Sequence, residues 1–195
     1  MDEGGTICLA RSGILRASDI LASLRNPVQS GTAYLTFDDF PPKEGGDELL
    51  DVLRREGVKS TFFCIGENAR ANPGLVRRAV REGHSIQVHA WDHDGPYDFQ
   101  RCAAFLKTLG GAPRLIRAPG AEKITAMAGK GWEGFTVDPY DYRRPGETEL
   151  ERRILYAVKP GAVIQLHAGV KETERVLPRV IASLRERSYV LGRME

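Results

Sequence analysis

From residue 33 to the C-terminus, short apolar runs rich in β-branched and aromatic residues alternate with segments of helical periodicity. No other feature of the chain restricts its fold as much. AYLTFD (33–38), VKSTFFCI (58–65), HSIQVH (84–89), RLIRA (114–118), GFTVD (134–138), AVIQLH (162–167) and SYVLGR (188–193) read as strands. In the first intervening helix Asp47 offers an N-cap, Leu49, Leu50, Val52 and Leu53 share a face, and Gly57 is the stop. Asn72 and Pro73 open the next as cap and first residue, with Leu75, Val76, Ala79 and Val80 as its apolar stripe and Gly83 as its end. Tyr97 to Leu109, residues 147–158 and residues 171–187 supply further helices, the last with Pro178 as an expected kink or delayed start. Seven strands joined by helices imply an α/β fold with a parallel sheet, open or closed into a barrel. No repeat or linker interrupts the pattern, so residues 33–195 read as a single domain. Residues 1–32, with a helix near ASDILASL, read as an N-terminal extension packed on the core.

A chain of 195 residues is long enough to bury roughly 70% of its unfolded surface. Its 42% hydrophobic and 28% charged content is that of a soluble globular protein. A net charge of +2, with arginine pairs scattered over the helices, argues against a nucleic-acid partner. Cys8, Cys64 and Cys102 are odd in number, far apart and lack a CxxC spacing, which argues against a disulfide framework and against a thiolate metal site. The first residues carry no basic-then-apolar secretory pattern, and the apolar runs are too short for a transmembrane segment.

The polar residues fall at one end of the pattern. Asp38 and Asp39 end the first strand, His89 the third, Arg117 the fourth and His167 the sixth, while Asp138 and Asp141 follow the fifth. In a parallel barrel the C-terminal strand ends are where catalytic groups gather. His89 and His93 stand one helical turn apart, and a carboxylate with two imidazoles is a facial metal set, leaving a carboxylate and a histidine for acid–base work. Each residue alone also has a plainer reading: Asp-Asp as a turn, a lone histidine as a satisfied core residue, Arg-Ala-Pro-Gly as a strand end. His84, at the opposite end of its strand, reads as structural. Together the residues point to a mononuclear metal hydrolase.

Five blocks, TFDD (36–39), HAWDH (89–93), RAPG (117–120), DPYDY (138–142) and QLHAG (165–169), resemble in content and order the motifs of the NodB-type polysaccharide deacetylases, carbohydrate esterase family four. The resemblance implies a distorted (β/α)7 barrel of parallel strands and a hydrolase that removes N-acetyl groups from N-acetylhexosamine-containing glycans. It implies Asp39, His89 and His93 as metal ligands, Asp38 as general base and His167 as general acid. Arg117 would orient Asp38, and Asp141 would hydrogen-bond His167 and raise its pKa. The Gly120 N–H would serve the oxyanion, and Tyr142 and Leu166 would wall the acyl pocket. His₂Asp suits Zn²⁺ best, with Co²⁺, Ni²⁺, Fe²⁺ or Mn²⁺ as other occupants. Phe40 stands where the family usually has glycine, implying a bulkier loop at the metal. Ala90, Ala121 and Tyr142 also depart from the usual pattern. Two other readings use the same residues: a hydrolase of another small amide, formamide or acetate ester, and a degenerate domain that binds a glycan or a protein without turnover. The missing signal and unpaired cysteines favour the cytoplasm, whereas a glycan substrate belongs to the cell envelope, to which a trimmed signal would direct the chain.

Overall fold

The computed structural model describes residues 30–95, 97–120 and 133–195. Residues 1–29 of the expected extension over 1–32, its helix, Cys8 and Ala121 lie outside them, and Gly31 and Thr32 already belong to the first strand. Five parallel strands form one sheet: β1 (Gly31–Phe40), β2 (Thr61–Ile65), β3 (Ser85–Ala90), β4 (Val163–His167) and β5 (Tyr189–Gly192). The order is β3-β2-β1-β4, and β5 pairs with the first residues of β1. Residues Gly31–Tyr34 of β1 face β5, and Thr36–Phe40 face β2, so two strands share one edge.

The helices α1 (Asp47–Arg55), α2 (Gly66–Ala71), α3 (Pro73–Arg81), α4 (Phe99–Thr108), α5 (Glu147–Ala157) and α6 (Lys171–Glu186) connect the strands. Their apolar stripes are buried as periodicity requires: Leu49, Leu50, Val52 and Leu53 on α1, and Val176, Leu177, Val180, Ile181 and Leu184 on α6. Strands covered on both sides read as continuous apolar runs, and every residue of β2 and β3 is buried. Asn72 caps α3, its Oδ1 accepting from the Leu75 N–H at 3.3 Å. Asp47 is not a cap, because Gly46, at φ 98°, turns the chain into α1 ahead of it. The short α2 was not legible in the sequence, and α6 runs through Pro178.

The expected fourth and fifth strands are reduced to single parallel bridges, Ile116 with Val88 and Val137 with Ile164. Pro113 and Pro119 bracket the first of these and remove ladder donors on both sides. The bridges nevertheless extend the sheet at both edges. There the Glu133 N–H donates to the Ile116 carbonyl at 2.8 Å, and Arg117 Nη2 donates to the Gly134 carbonyl at 2.8 Å. The sheet is thereby drawn round on itself, with its C-terminal strand ends on a common rim. Cys64 and Cys102 are buried free thiols, and burial pushes the Cys102 thiol up to about 12. Among the described residues no helix is long and apolar enough to cross a membrane.

Candidate active site

Two consecutive residues of a regular strand point to opposite faces, so Asp38 and Asp39 should not serve one site. A bulge resolves this. Phe37 pairs with Phe62 but Phe40 with Cys64, so β1 carries one extra residue there, and Asp39 takes a left-handed φ of 60°. A second slip, between Cys64 and Ile65 against Val88 and Ala90, places an extra residue at His89. Each bulge re-aims the side chain at its strand end.

His89 and His93 are brought together by this bulge and the bend that follows β3, not by a helical turn. Trp91, in that bend, lies under the Arg101 guanidinium at 3.7 Å and against Gly66, where an added Cβ would meet the indole at 2.4 Å. Asp39 Oδ1 lies 3.5 Å from His89 Nε2 and 3.7 Å from His93 Nε2. Two metal bonds of about 2.1 Å at a tetrahedral angle would set their ligand atoms about 3.4 Å apart. Asp39 Oδ1 is buried and has no hydrogen-bond partner, so a cation would satisfy an otherwise orphaned anionic oxygen. His89 Nδ1 is held by the Arg117 carbonyl at 2.6 Å and His93 Nδ1 by Asp94 Oδ1 at 2.9 Å, which leaves each Nε2 as the free lone pair. Burial holds the His89 imidazole below its ordinary pKa, in the neutral form a ligand needs. Asp39, His89 and His93 therefore fit one divalent cation.

Asp38 is 1% exposed, and both of its oxygens are held. Oδ1 accepts from Arg117 Nη1 at 2.9 Å and Oδ2 from Gln165 Nε2 at 2.7 Å. Arg117 also donates to Thr36 Oγ1 at 2.7 Å and lies over the Phe63 ring at 4.0 Å. Gln165 and Thr36 carry no sequence signal for these roles, because their contacts join residues far apart in the chain, 127 residues for Gln165 with Asp38 and 81 for Thr36 with Arg117.

Across β1 and β4, Asp38 stands in register with His167. Asp141 is fully buried. Its Oδ1 accepts from His167 Nδ1 at 2.7 Å and the Tyr142 N–H at 2.9 Å, and its Oδ2 from the His167 N–H and Thr173 Oγ1, both at 2.8 Å. Burial alone would lower the His167 pKa, but the hydrogen bond and charge of Asp141, with the charges of Asp38 and Asp39, carry it to about 9. His167 is thus a protonated imidazolium at neutral pH, with Nε2 as its remaining donor.

Three expectations change. Leu166 is fully buried in the hydrophobic core and cannot wall an acyl pocket, because strand alternation turns Gln165 and His167 to the site and Leu166 to the opposite face. Phe40 is also buried, packed on Phe62 at 4.3 Å, so it adds no bulk to the loop beside Asp39, His89 and His93. The helical spacing of His89 and His93 is the third, corrected above. Gly120 lies in an exposed turn at φ 79°, and Tyr142 is exposed with its ring 5.2 Å from that of His167. Asp138 accepts from the Tyr140 N–H at 2.8 Å and is not in the group of Asp39, His89 and His93, although its charge reaches His167 and Asp141. His84 is buried at the far end of β3, accepting from the Ser60 N–H at 3.1 Å.

The family profile described as polysaccharide deacetylase matches residues 25–129. A chitooligosaccharide deacetylase of Sinorhizobium fredii is 33% identical, covering 86% of this chain and 94% of its own. A peptidoglycan-N-acetylglucosamine deacetylase of Listeria monocytogenes is 30% identical over 80% of this chain and 36% of its own. Among solved structures, a polysaccharide deacetylase from Bacillus cereus superposes with a TM-score of 0.77 at 27% identity, over 85% of this chain and 92% of that one. By sequence and architecture together, the chain belongs to the polysaccharide deacetylase family.

Proposed function

We propose that this protein removes N-acetyl groups from N-acetylhexosamine-containing glycans, with Zn²⁺ held by Asp39, His89 and His93. The observation that carries the reading is the pairing of two opposite proton carriers across one strand interface: Asp38, clamped at both oxygens, and His167, held protonated by Asp141. The relatives named for chitooligosaccharide and peptidoglycan deacetylation support the glycan substrate.

An acetamide carbonyl is a weak electrophile, water a weak nucleophile, and an amide nitrogen a poor leaving group. The bound cation would polarise the carbonyl and lower the pKa of water. Asp38 takes the proton from the attacking water. Its hydrogen bonds to Arg117 and Gln165 fix the carboxylate in place, leaving its remaining lone pairs for that proton. His167 Nε2 gives its proton to the departing nitrogen as the carbon–nitrogen bond breaks. The Gly120 N–H donates to the developing oxyanion and Tyr142 flanks the acyl group. The products are acetate and a glycan amine.

The test is acetate release from N-acetylglucosamine oligomers by chelated protein, with single divalent metals added back. Release restored by Zn²⁺ is the expected result. Zn²⁺ bound with no acetate from any oligomer would sink the proposal.

A further inference from the structure

The two histidines of the HAWDH block are held very differently. His89 is 3% exposed and its ring is gripped by the Arg117 carbonyl. The His93 side chain is 46% exposed, and its partner Asp94 is itself 95% exposed. A pair between exposed side chains restrains little. His93 also lies beyond the end of β3, in a bend over residues 91–95. A metal bond nevertheless needs its ring placed to within about 0.5 Å.

Trp91, the first residue of the bend, is fixed from three directions. Its carbonyl accepts from the Glu67 N–H at 2.9 Å, which ties the bend to the first turn of α2. Its indole is buried, and Gly66 packs against it so closely that a methyl group there would have to displace the ring. Phe105 of α4 meets the indole edge to face at 5.8 Å, and the Arg101 guanidinium of α4 lies 3.7 Å from the ring centre. The neighbouring Cys102 Sγ donates to the Cys64 carbonyl at 3.4 Å, which seats α4 against β2. Within the bend, Asp92 Oδ1 accepts from the Asp94 N–H at 3.1 Å. Gly95, having no Cβ to meet the Asp92 carboxylate, lets that turn close.

We propose that Gly66, Trp91 and Arg101 are positioning residues for the metal. Gly66 and Arg101 clamp the indole, Trp91 holds the bend, and the bend aims His93 Nε2 at Asp39 Oδ1 and His89 Nε2. A ligand already in place loses less freedom when the ion binds, so the clamp raises zinc affinity. It does so from α2 and α4, neither of which carries a metal ligand or a proton carrier of the site. Arg101, an exposed residue on the outside of the fold, thereby acts on the metal centre without touching it. The inference rests on the reading of Asp39, His89 and His93 as zinc ligands.

The experiment titrates Zn²⁺ into the metal-free protein by chelator competition and follows the imidazole Cε1–H resonances of that metal-free protein by NMR. Arg101→Gln removes the cation and should raise the zinc Kd about two- to fivefold, while Arg101→Lys should raise it less. Gly66→Ala, which displaces the indole itself, should raise it about 10–100-fold. In Arg101→Gln and Gly66→Ala the His93 resonance should move, and that of His89, anchored on Arg117, should stay. Lys107→Ala, on the same helix, should leave both readouts unchanged. A zinc Kd unchanged by Arg101→Gln or Gly66→Ala, a His93 resonance that does not move, or an equal loss in Lys107→Ala overturns the clamp. Zinc held tightly with no acetate released from any oligomer ends the deacetylase reading and leaves the clamp standing. If the unsubstituted protein binds no zinc, the metal reading falls, and the His93 resonance decides the clamp by the same criterion.

Discussion

Replacing Asp141 by asparagine isolates the group that keeps His167 charged. The carboxylate accepts four hydrogen bonds, two at each oxygen, and each oxygen receives one backbone N–H. Whichever way an amide is turned, its NH₂ must face either the Tyr142 or the His167 N–H, and neither backbone donor can reverse. One buried donor is left unpaired, at about 1–3 kcal/mol. The charge pairing is lost as well. His167 titrates at about 9 in place of its ordinary 6.5, which at about 1.4 kcal/mol per pH unit corresponds to about 3 kcal/mol. A raised histidine pKa stabilises the fold fully below 6.5, and that contribution declines as pH rises and is gone above about 9. Compared without metal, the unsubstituted protein and the Asp141→Asn variant should therefore differ by the unpaired-donor cost alone at about pH 9.5, and at about pH 6 by that cost plus the part of the ~3 kcal/mol that Asp141, rather than Asp38 and Asp39, supplies. Urea denaturation across that range gives the difference, and proton NMR of the imidazole gives the titration directly. A His167 that titrates near 6.5 in the unsubstituted protein, or a stability difference independent of pH, would refute the reasoning.

Asp38→Asn and His167→Ala should each lower acetate release by about 10²–10⁴-fold while bound zinc stays stoichiometric; metal loss in either reassigns that residue to the ligand set. Gln165→Leu should reduce turnover by about 10–100-fold without changing zinc content, because Asp38 Oδ2 loses its only side-chain donor among the described residues; full activity would show that Arg117 alone suffices. His84 is pushed down to about 4, chiefly by burial and then by the charge of Lys59. The unfolded chain takes up this proton near 6.5, so stability should fall by up to about 3 kcal/mol as pH drops from 6.5 to 4. A flat urea midpoint over that interval for this histidine, judged against His84→Gln, would contradict it.

The strand-and-helix alternation was legible because sheet strands buried on both faces and helices buried on one leave periodic signatures. Residues at the strand ends stood out because charge interrupts an apolar run. What stayed hidden depends on departures from those periods. The bulges at Asp39 and His89 have no glycine or other local marker, yet they allow adjacent residues to reach one site. Leu166 and Gln165 could be told apart only by parity against His167, and Gln165 gained a role only once β4 lay beside β1. The loss of the fourth and fifth strands to single bridges follows from flanking prolines and from a chain that turns at once into DPYDY. Cys64 and Cys102 looked like an argument about compartment, but buried, protonated thiols are protected from oxidants and carry no such information.

Arg117 has one hand on each side of the molecule. Its Nη2 grips Gly134 where the two sheet edges meet, and its Nη1 grips Asp38. The keystone of the cylinder is therefore also the bearing on which the proton acceptor turns. An Arg117 variant that loses activity says nothing about chemistry by itself, since the same lesion unlatches the rim on which every other group is mounted. A clean inactive form of this protein, fit for trapping a bound glycan, is better made at His167, which Arg117 does not touch, or at Asp38 with the Gly134 latch left intact.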